Sequence, residues 1–125
     1  MLAGLRVVDL SRVLAGPYCT QLLADLGADV IKVENPDGGD ETRAWGPPFA
    51  EGGESAYYLS VNRGKRSVAL DLKDERDRAA AAELCARADV VVENFRVGTA
   101  ARFGLGYEQV AERNPRVVYL SLIHI

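Results

Sequence analysis

RVVDLSRVLAGPYCTQLLADLGADVIKVE, residues 6–34, reads as a strand, a helix and a second strand. Arg6–Leu10 is short and rich in β-branched side chains. After a polar interlude Pro17 opens a segment with Leu22, Leu23 and Leu26 at helical spacing. Proline suits the first turn of a helix, where its missing N–H would have had no partner. Gly27 stands where helices commonly close with a left-handed residue, and Asp29–Glu34 is rich enough in Val and Ile to be a strand. Two such strands joined through a helix are parallel, and their crossover is right-handed.

Working outward, Asn35–Ser55 interrupts the pattern with Gly38, Gly39, Gly46, Pro47, Pro48, Gly52 and Gly53 around the single tryptophan, Trp45. Loops of that length are usually functional or disordered. Order resumes at Tyr57. Ser67–Leu72 (SVALDL) reads as a third strand, and Asp74 can cap a following helix whose Ala80, Leu84 and Ala88 lie one turn apart on one face. Asp89–Glu93 is a fourth strand. A short helix over Thr99–Phe103 and another over Tyr107–Arg113, stopped by Asn114-Pro115, lead to a fifth strand at Val117–Leu122. Apolar strands alternating with helices predict an α/β fold: a Rossmann-like parallel sheet with helices on both faces. With 125 residues, 48% of them apolar, residues 1–125 suit a single domain.

Charged residues make up 26% of the chain and the net charge is -3, which argues against a disordered segment and against a nucleic-acid surface. A polyanionic ligand would need a local basic cluster. Arg63, Lys65 and Arg66 form one and Arg96 with Arg102 another, although such groups are commonly solvated surface charges. Cys19 and Cys85 stand apart, without metal-ligand or redox spacing, so neither a metal site nor a disulfide is expected. Arg6, Asp9 and Arg12 interrupt any signal or membrane span near the amino terminus. No membrane partner is expected, and the expected location is the cytoplasm.

Ligands of open parallel sheets bind outside the carboxyl ends of the strands, which here are followed by Ser11–Gly16, Asn35, Lys73 and Asn94–Arg96. Glu34 occupies the place of a ribose-binding carboxylate. The dinucleotide fingerprint is nevertheless absent, since Gly16 is the only glycine between Leu10 and Pro17, and Glu34 then reads as a strand-end surface charge. No P-loop fits, because Gly64-Lys65 is followed by Arg66. No nucleophile elbow exists, and the single histidine, His124, is penultimate. The residues alone therefore describe a ligand-binding α/β domain with no catalytic residue and no metal ligand.

The text at these strand ends resembles class III CoA-transferases, the family that includes formyl-CoA transferase. The resemblance is carried by Val8-Asp9-Leu10-Ser11 with Ala15-Gly16-Pro17-Tyr18-Cys19-Thr20, and by Leu26–Glu34. It continues through Gly39-Asp40 with Thr42-Arg43, Asn62–Ser67, Leu70–Lys73, Ala88–Phe95 and Asn114-Pro115-Arg116, in the family's order and from about Leu5 to Ser121. It implies an amino-terminal coenzyme-A-binding portion of such an enzyme. By the same resemblance Leu14 and Ala15 abut the nucleotide end of coenzyme A, and Leu70, Asp71, Leu72 and Lys73 frame the adenine. Asn94, Phe95 and Arg96 lie beside the pantetheine and phosphates, and Arg102 meets a phosphate. Asn35 departs from members that carry a phosphate-binding arginine after the second strand.

The implied reaction moves CoA from an acyl-CoA thioester to a carboxylic acid through an aspartate nucleophile. Coenzyme A is then a substrate, and no resident cofactor is expected. In the family that aspartate lies beyond residue 125, so this chain alone is expected to be inactive. The closing Leu122-Ile123-His124-Ile125 replaces a glycine-containing family turn and reads as a truncated gene end. The resemblance also implies an interlocked homodimer for the full-length protein. Two alternatives remain open on sequence: an α-methylacyl-CoA racemase, which shares this CoA-binding text, and a non-catalytic CoA-binding module.

Overall fold

A computed structural model describes residues 1–122, so the Ile123-His124-Ile125 part of the closing segment lies outside the described residues. The five strands are β1 (Arg6–Asp9), β2 (Asp29–Glu34), β3 (Arg66–Ala69), β4 (Val90–Glu93) and β5 (Val118–Ser121). They form one sheet in the order β3-β2-β1-β4-β5, with every neighbouring pair parallel. The helices are α1 (Ala15–Asp25), α2 (Ala56–Ser60), α3 (Glu75–Ala86), α4 (Thr99–Arg102) and α5 (Tyr107–Arg113). The expected α/β, Rossmann-like architecture is the one observed.

Strand alternation sorts side chains onto two faces. Val8, Leu10, Val33 and Val91 pack against Ala81, Cys85 and Val110, which places α3 and α5 on one face. Val7 and Val30 pack with Ala28 and the half-buried Leu23 and Ala24, which places α1 on the other. Burial in the first cluster pushes the Cys85 thiol up to about 12 and makes it an inert packing group.

Several element bounds differ from expectation. The first helix starts at Ala15, two residues ahead of Pro17, because the third helical residue also lacks an intrahelical N–H partner and tolerates proline. It closes as expected: Gly27 has φ +105°, its N–H donates to Ala24 O and that of Ala28 to Leu23 O. The buried face of α3 is Ala81 and Cys85 continuing to Ala88, whereas Ala80 is exposed. Asp74 caps that helix by accepting from the N–H groups of Arg76 and Asp77. The third strand ends at Ala69; the Leu70 N–H still donates to Glu34 O of β2 at 2.9 Å, and the chain leaves the sheet after it. The long loop is ordered around a 3-10 turn, Glu41–Ala44, with Asp40 and Thr42 buried and Trp45 edge-on to Tyr57.

Candidate functional site

Strand order reverses beside β1: the chain first winds from β1 to β2 and β3, then returns to place β4 on the other side. The crevice of a doubly wound sheet lies at that point, between the loops that leave β1 and β4. Asn94 pins these loops together. Its Oδ1 accepts from the Arg12 N–H at 3.0 Å, and its Nδ2 donates to Arg12 O at 2.7 Å.

A cleft of about 220 Å³ opens beside the pinned loops. Leu10, Val33, Leu70, Leu72, Phe95 and Phe103 give it an apolar lining, Arg12, Asn35 and Lys73 give it polar groups, and the charged Lys32, Glu34 and Asp40 border it as well. Phe95 and Phe103 meet edge to face, with ring centroids 5.9 Å apart. Leu70–Lys73 reach the cleft because the chain turns after β3. The Asp71 carboxylate accepts from the Lys73 N–H at 3.0 Å, and the Asp71 N–H donates to Asp77 Oδ2 at 2.8 Å. Asp71 is therefore a turn-forming carboxylate whose neighbours line the cleft.

Of the ten residues the resemblance singled out, Leu70, Asp71, Leu72, Lys73 and Phe95 converge on this cleft. Arg96 lines a separate, more open hollow of about 450 Å³ with Tyr107 and Ser121, and Phe95 borders both spaces. Leu14 and Ala15 are exposed at the start of α1, outside the lining of either space. Leu14 supplies no side-chain cap, which leaves first-turn amides of α1 open to another acceptor. Arg102 is exposed on α4 and donates to Thr99 Oγ1 at 3.1 Å.

Beneath the rim, on the α1 face, lies a layer of buried charge. Asp9 is fully buried and accepts from Ser11 N–H and Oγ, from Thr20 Oγ1 at 2.6 Å and from Lys65 Nζ at 3.0 Å. Lys32, also fully buried, donates to Asp40 Oδ2 at 2.9 Å and to Ser11 O at 3.1 Å. Glu34 accepts two bonds from Arg43, at 2.8 and 2.7 Å, one from the Asp40 N–H and one from Ser67 Oγ.

Burial pushes the Glu34 carboxyl up, but the Arg43, Ser67 and Asp40 donors outweigh it and hold the group at about 2. Burial likewise opposes ionisation of Asp40. The Thr42 N–H and the Lys32 ammonium reverse that and keep its carboxyl below the ordinary range. For Lys65 burial wins over the attraction of Asp9, and its pKa is lowered. Gly16 presses so closely on Ser11 that a methyl group there would overlap the serine side chain.

These contacts correct two expectations. Glu34 is not a surface charge, because the long loop covers the end of β2 and supplies its donors. The cluster of Arg63, Lys65 and Arg66 is not solvated throughout: Arg63 and Arg66 are exposed and pair with Asp25 and Asp29, but the Lys65 side chain is buried against Asp9. Lys73, Arg96 and Arg102 carry no ion pair among the described residues. Sequence reasoning missed Asp9, Lys32, Asp40 and Lys65 as a unit. A signal existed: in DVIKVE, Lys32 and Glu34 share a face with Val30, so in a sheet covered on both sides they require partners.

The model of CoA-transferase family III matches residues 2–123. The succinate–glutarate CoA-transferase of Agrobacterium fabrum is 53% identical over 126 residues, which cover 97% of this chain and 32% of that protein. The human succinyl-CoA:glutarate CoA-transferase is 53% identical over 121 residues, covering 97% of this chain and 27% of that one. A crystal structure of a CAIB/BAIF family protein from Brucella suis superposes with a TM-score of 0.91 at 51% identity, covering 96% of this chain and 32% of that one. The chain thus spans about a third of the length of these relatives. It belongs to CoA-transferase family III.

Proposed function

We propose that this member of CoA-transferase family III acts in a protein that transfers CoA from an acyl-CoA thioester to a carboxylic acid, and that residues 1–125 form the domain holding coenzyme A. The observation that carries the reading is the cleft at the carboxyl ends of the strands, where an apolar lining is joined by Lys73, a basic group with no ion pair among the described residues. Leu70, Leu72 and Phe95 offer flat apolar surface to an adenine. Lys73, Arg96 and Arg102 offer donors to phosphate oxygens, as do the first-turn amides of α1 beside Leu14 and Ala15. Asn94 ties the two loops together beside the cleft. The relatives named above are transferases, which favours transfer over racemisation.

In the proposed reaction a carboxylate oxygen attacks the thioester carbonyl, the carbon–sulfur bond breaks, and CoA leaves as a thiolate. The thiolate then attacks the enzyme-bound anhydride at the enzyme's own carbonyl and frees the donor acid. The resulting enzyme thioester passes CoA to the acceptor by the reverse pair of steps. This chain's share of the work is to bind and orient CoA; the family's nucleophilic aspartate has no counterpart among residues 1–125. CoA is turned over as substrate, so the reading needs no resident cofactor or metal. A cytoplasmic location and a homodimeric full-length protein belong to the same proposal. No helix among the described residues is long and apolar enough to cross a membrane.

Calorimetric titration of the intact protein with coenzyme A tests the reading. Saturable binding is expected, and Lys73→Ala and Arg96→Ala should each weaken it roughly tenfold, the worth of one charge-assisted hydrogen bond. Absence of saturable binding by the unsubstituted protein would overturn the assignment.

A further inference from the structure

Val13 has φ +72°, the only non-glycine residue in the left-handed region among the described residues, and it is β-branched. Valine avoids that region because its Cβ crowds the neighbouring carbonyl, so the conformation persists only where surrounding bonds hold it. The Val13 N–H points at the Asp40 carboxylate, 3.2 Å from Oδ2 and 3.4 Å from Oδ1. We propose that Asp40 is a positioning residue of the coenzyme-A site: with its charge balanced by buried Lys32, it holds Val13 in this left-handed turn and so fixes the loop that presents Arg12, Leu14 and Ala15.

The geometry of the loop supports the role at three consecutive residues. Ser11 O is held by Lys32 from β2, the Arg12 backbone by Asn94 after β4, and the Val13 N–H by Asp40 from the long loop. The Asp40 carboxylate acts purely as an acceptor. Its donors are Val13 N–H, Lys32 Nζ, and both the N–H and the Oγ1 of Thr42, at 3.0 and 2.9 Å. A protonated acid would have to donate, and of these partners only the Thr42 hydroxyl can turn to accept. Asp40 borders the cleft as well, but its carboxylate is engaged by these donors, and the role proposed here runs through Val13.

The inference rests on the functional reading above, and the test separates the two. In the intact protein, Asp40→Glu keeps the charge beside Lys32 but moves the carboxylate by one methylene. Coenzyme A titrated calorimetrically should bind about tenfold more weakly, equivalent to loss of one well-placed restraint. Adding Val13→Gly should return the affinity to within about twofold of the parent, because glycine adopts φ > 0 unaided. Such rescue is not expected if Asp40 merely stabilises the fold. Should Asp40→Glu fail to fold, Lys32→Met with Asp40→Leu leaves no orphaned buried charge and carries the same comparison. Parent-like affinity in the acidic or apolar variant, or no recovery with glycine, overturns the positioning role. No binding by the parent overturns the functional reading and, with it, the role of Asp40.

Discussion

The two faces of the sheet are built from the same strands on opposite principles. On the α3–α5 face Val8, Leu10, Val33, Val91 and Leu105 make an aliphatic core with no buried carboxylate–ammonium pair among the described residues; its one buried carboxylate, Glu93, accepts from the Phe95 N–H. On the α1 face β1 and β2 carry Asp9, Lys32 and Glu34 toward the rim, and Thr20, Asp40, Thr42 and Lys65 close around them. An apolar layer is non-directional and tolerates small shifts, whereas a buried ion pair keeps its energy only at good geometry. The difference teaches that the face below the β1–α1 loop is built to fix a backbone, and the opposite face to hold the sheet together.

Removing one buried charge should break that contrast most strongly. Lys32→Met leaves Asp40 uncompensated, and a loss of about 3–5 kcal/mol in urea-denaturation stability is expected. Leu105→Ala, at a fully buried site on the other face, should cost about 3 kcal/mol through its cavity. Where folded protein remains, the lysine variant should also weaken coenzyme A binding, whereas the leucine variant should leave it near the parental value. Equal effects of both on binding would erase the distinction between the faces.

Acid should act on one face first. Glu34 and Asp40 both have folded-state pKa values below their ordinary ones, so the stability they contribute is present above about pH 4.5 and is lost as pH falls toward about 2. Trp45 lies in the loop these carboxylates anchor, and Ser55 Oγ donates to its carbonyl at 2.6 Å. Its fluorescence should hold steady from neutral pH down to about 5 and change below about 4.5, ahead of the loss of helical circular dichroism. A fluorescence change centred near neutrality would contradict this. The smallest effect is expected at the exposed Arg66–Asp29 pair: Arg66→Ala should alter stability by less than about 1 kcal/mol despite its 2.7 Å contact.

The strands were legible because Val and Ile runs between turn residues leave little choice, and the parallel order followed from the helices between them. Their ends were not. Leu72 continues the alternation of β3 after the last bond to β2, from the Leu70 N–H, has been made, because periodicity records which side a residue faces and not whether its backbone is paired. Ala80 and Ala81 have identical hydropathy, so only packing could show that the second is the buried one. The cleft positions Leu70–Lys73 and Phe95 were legible through family text. The spatial union of Asp9, Lys32, Asp40 and Lys65 was not, since pairs 8 and 56 residues apart along the chain leave no local pattern.

Gly16 shows how the mouth of the cleft can diversify. With Ser11 pressed against it, position 16 admits only hydrogen, and any bulkier substituent would be transmitted through Ser11 to Asp9 and the charged layer. Arg12 and Leu14 stand outside that seal, with their side chains toward solvent. Variation among proteins of this architecture can therefore reshape the entrance at Arg12, and the surface beside it at Leu14, while the foundation beneath stays unaltered.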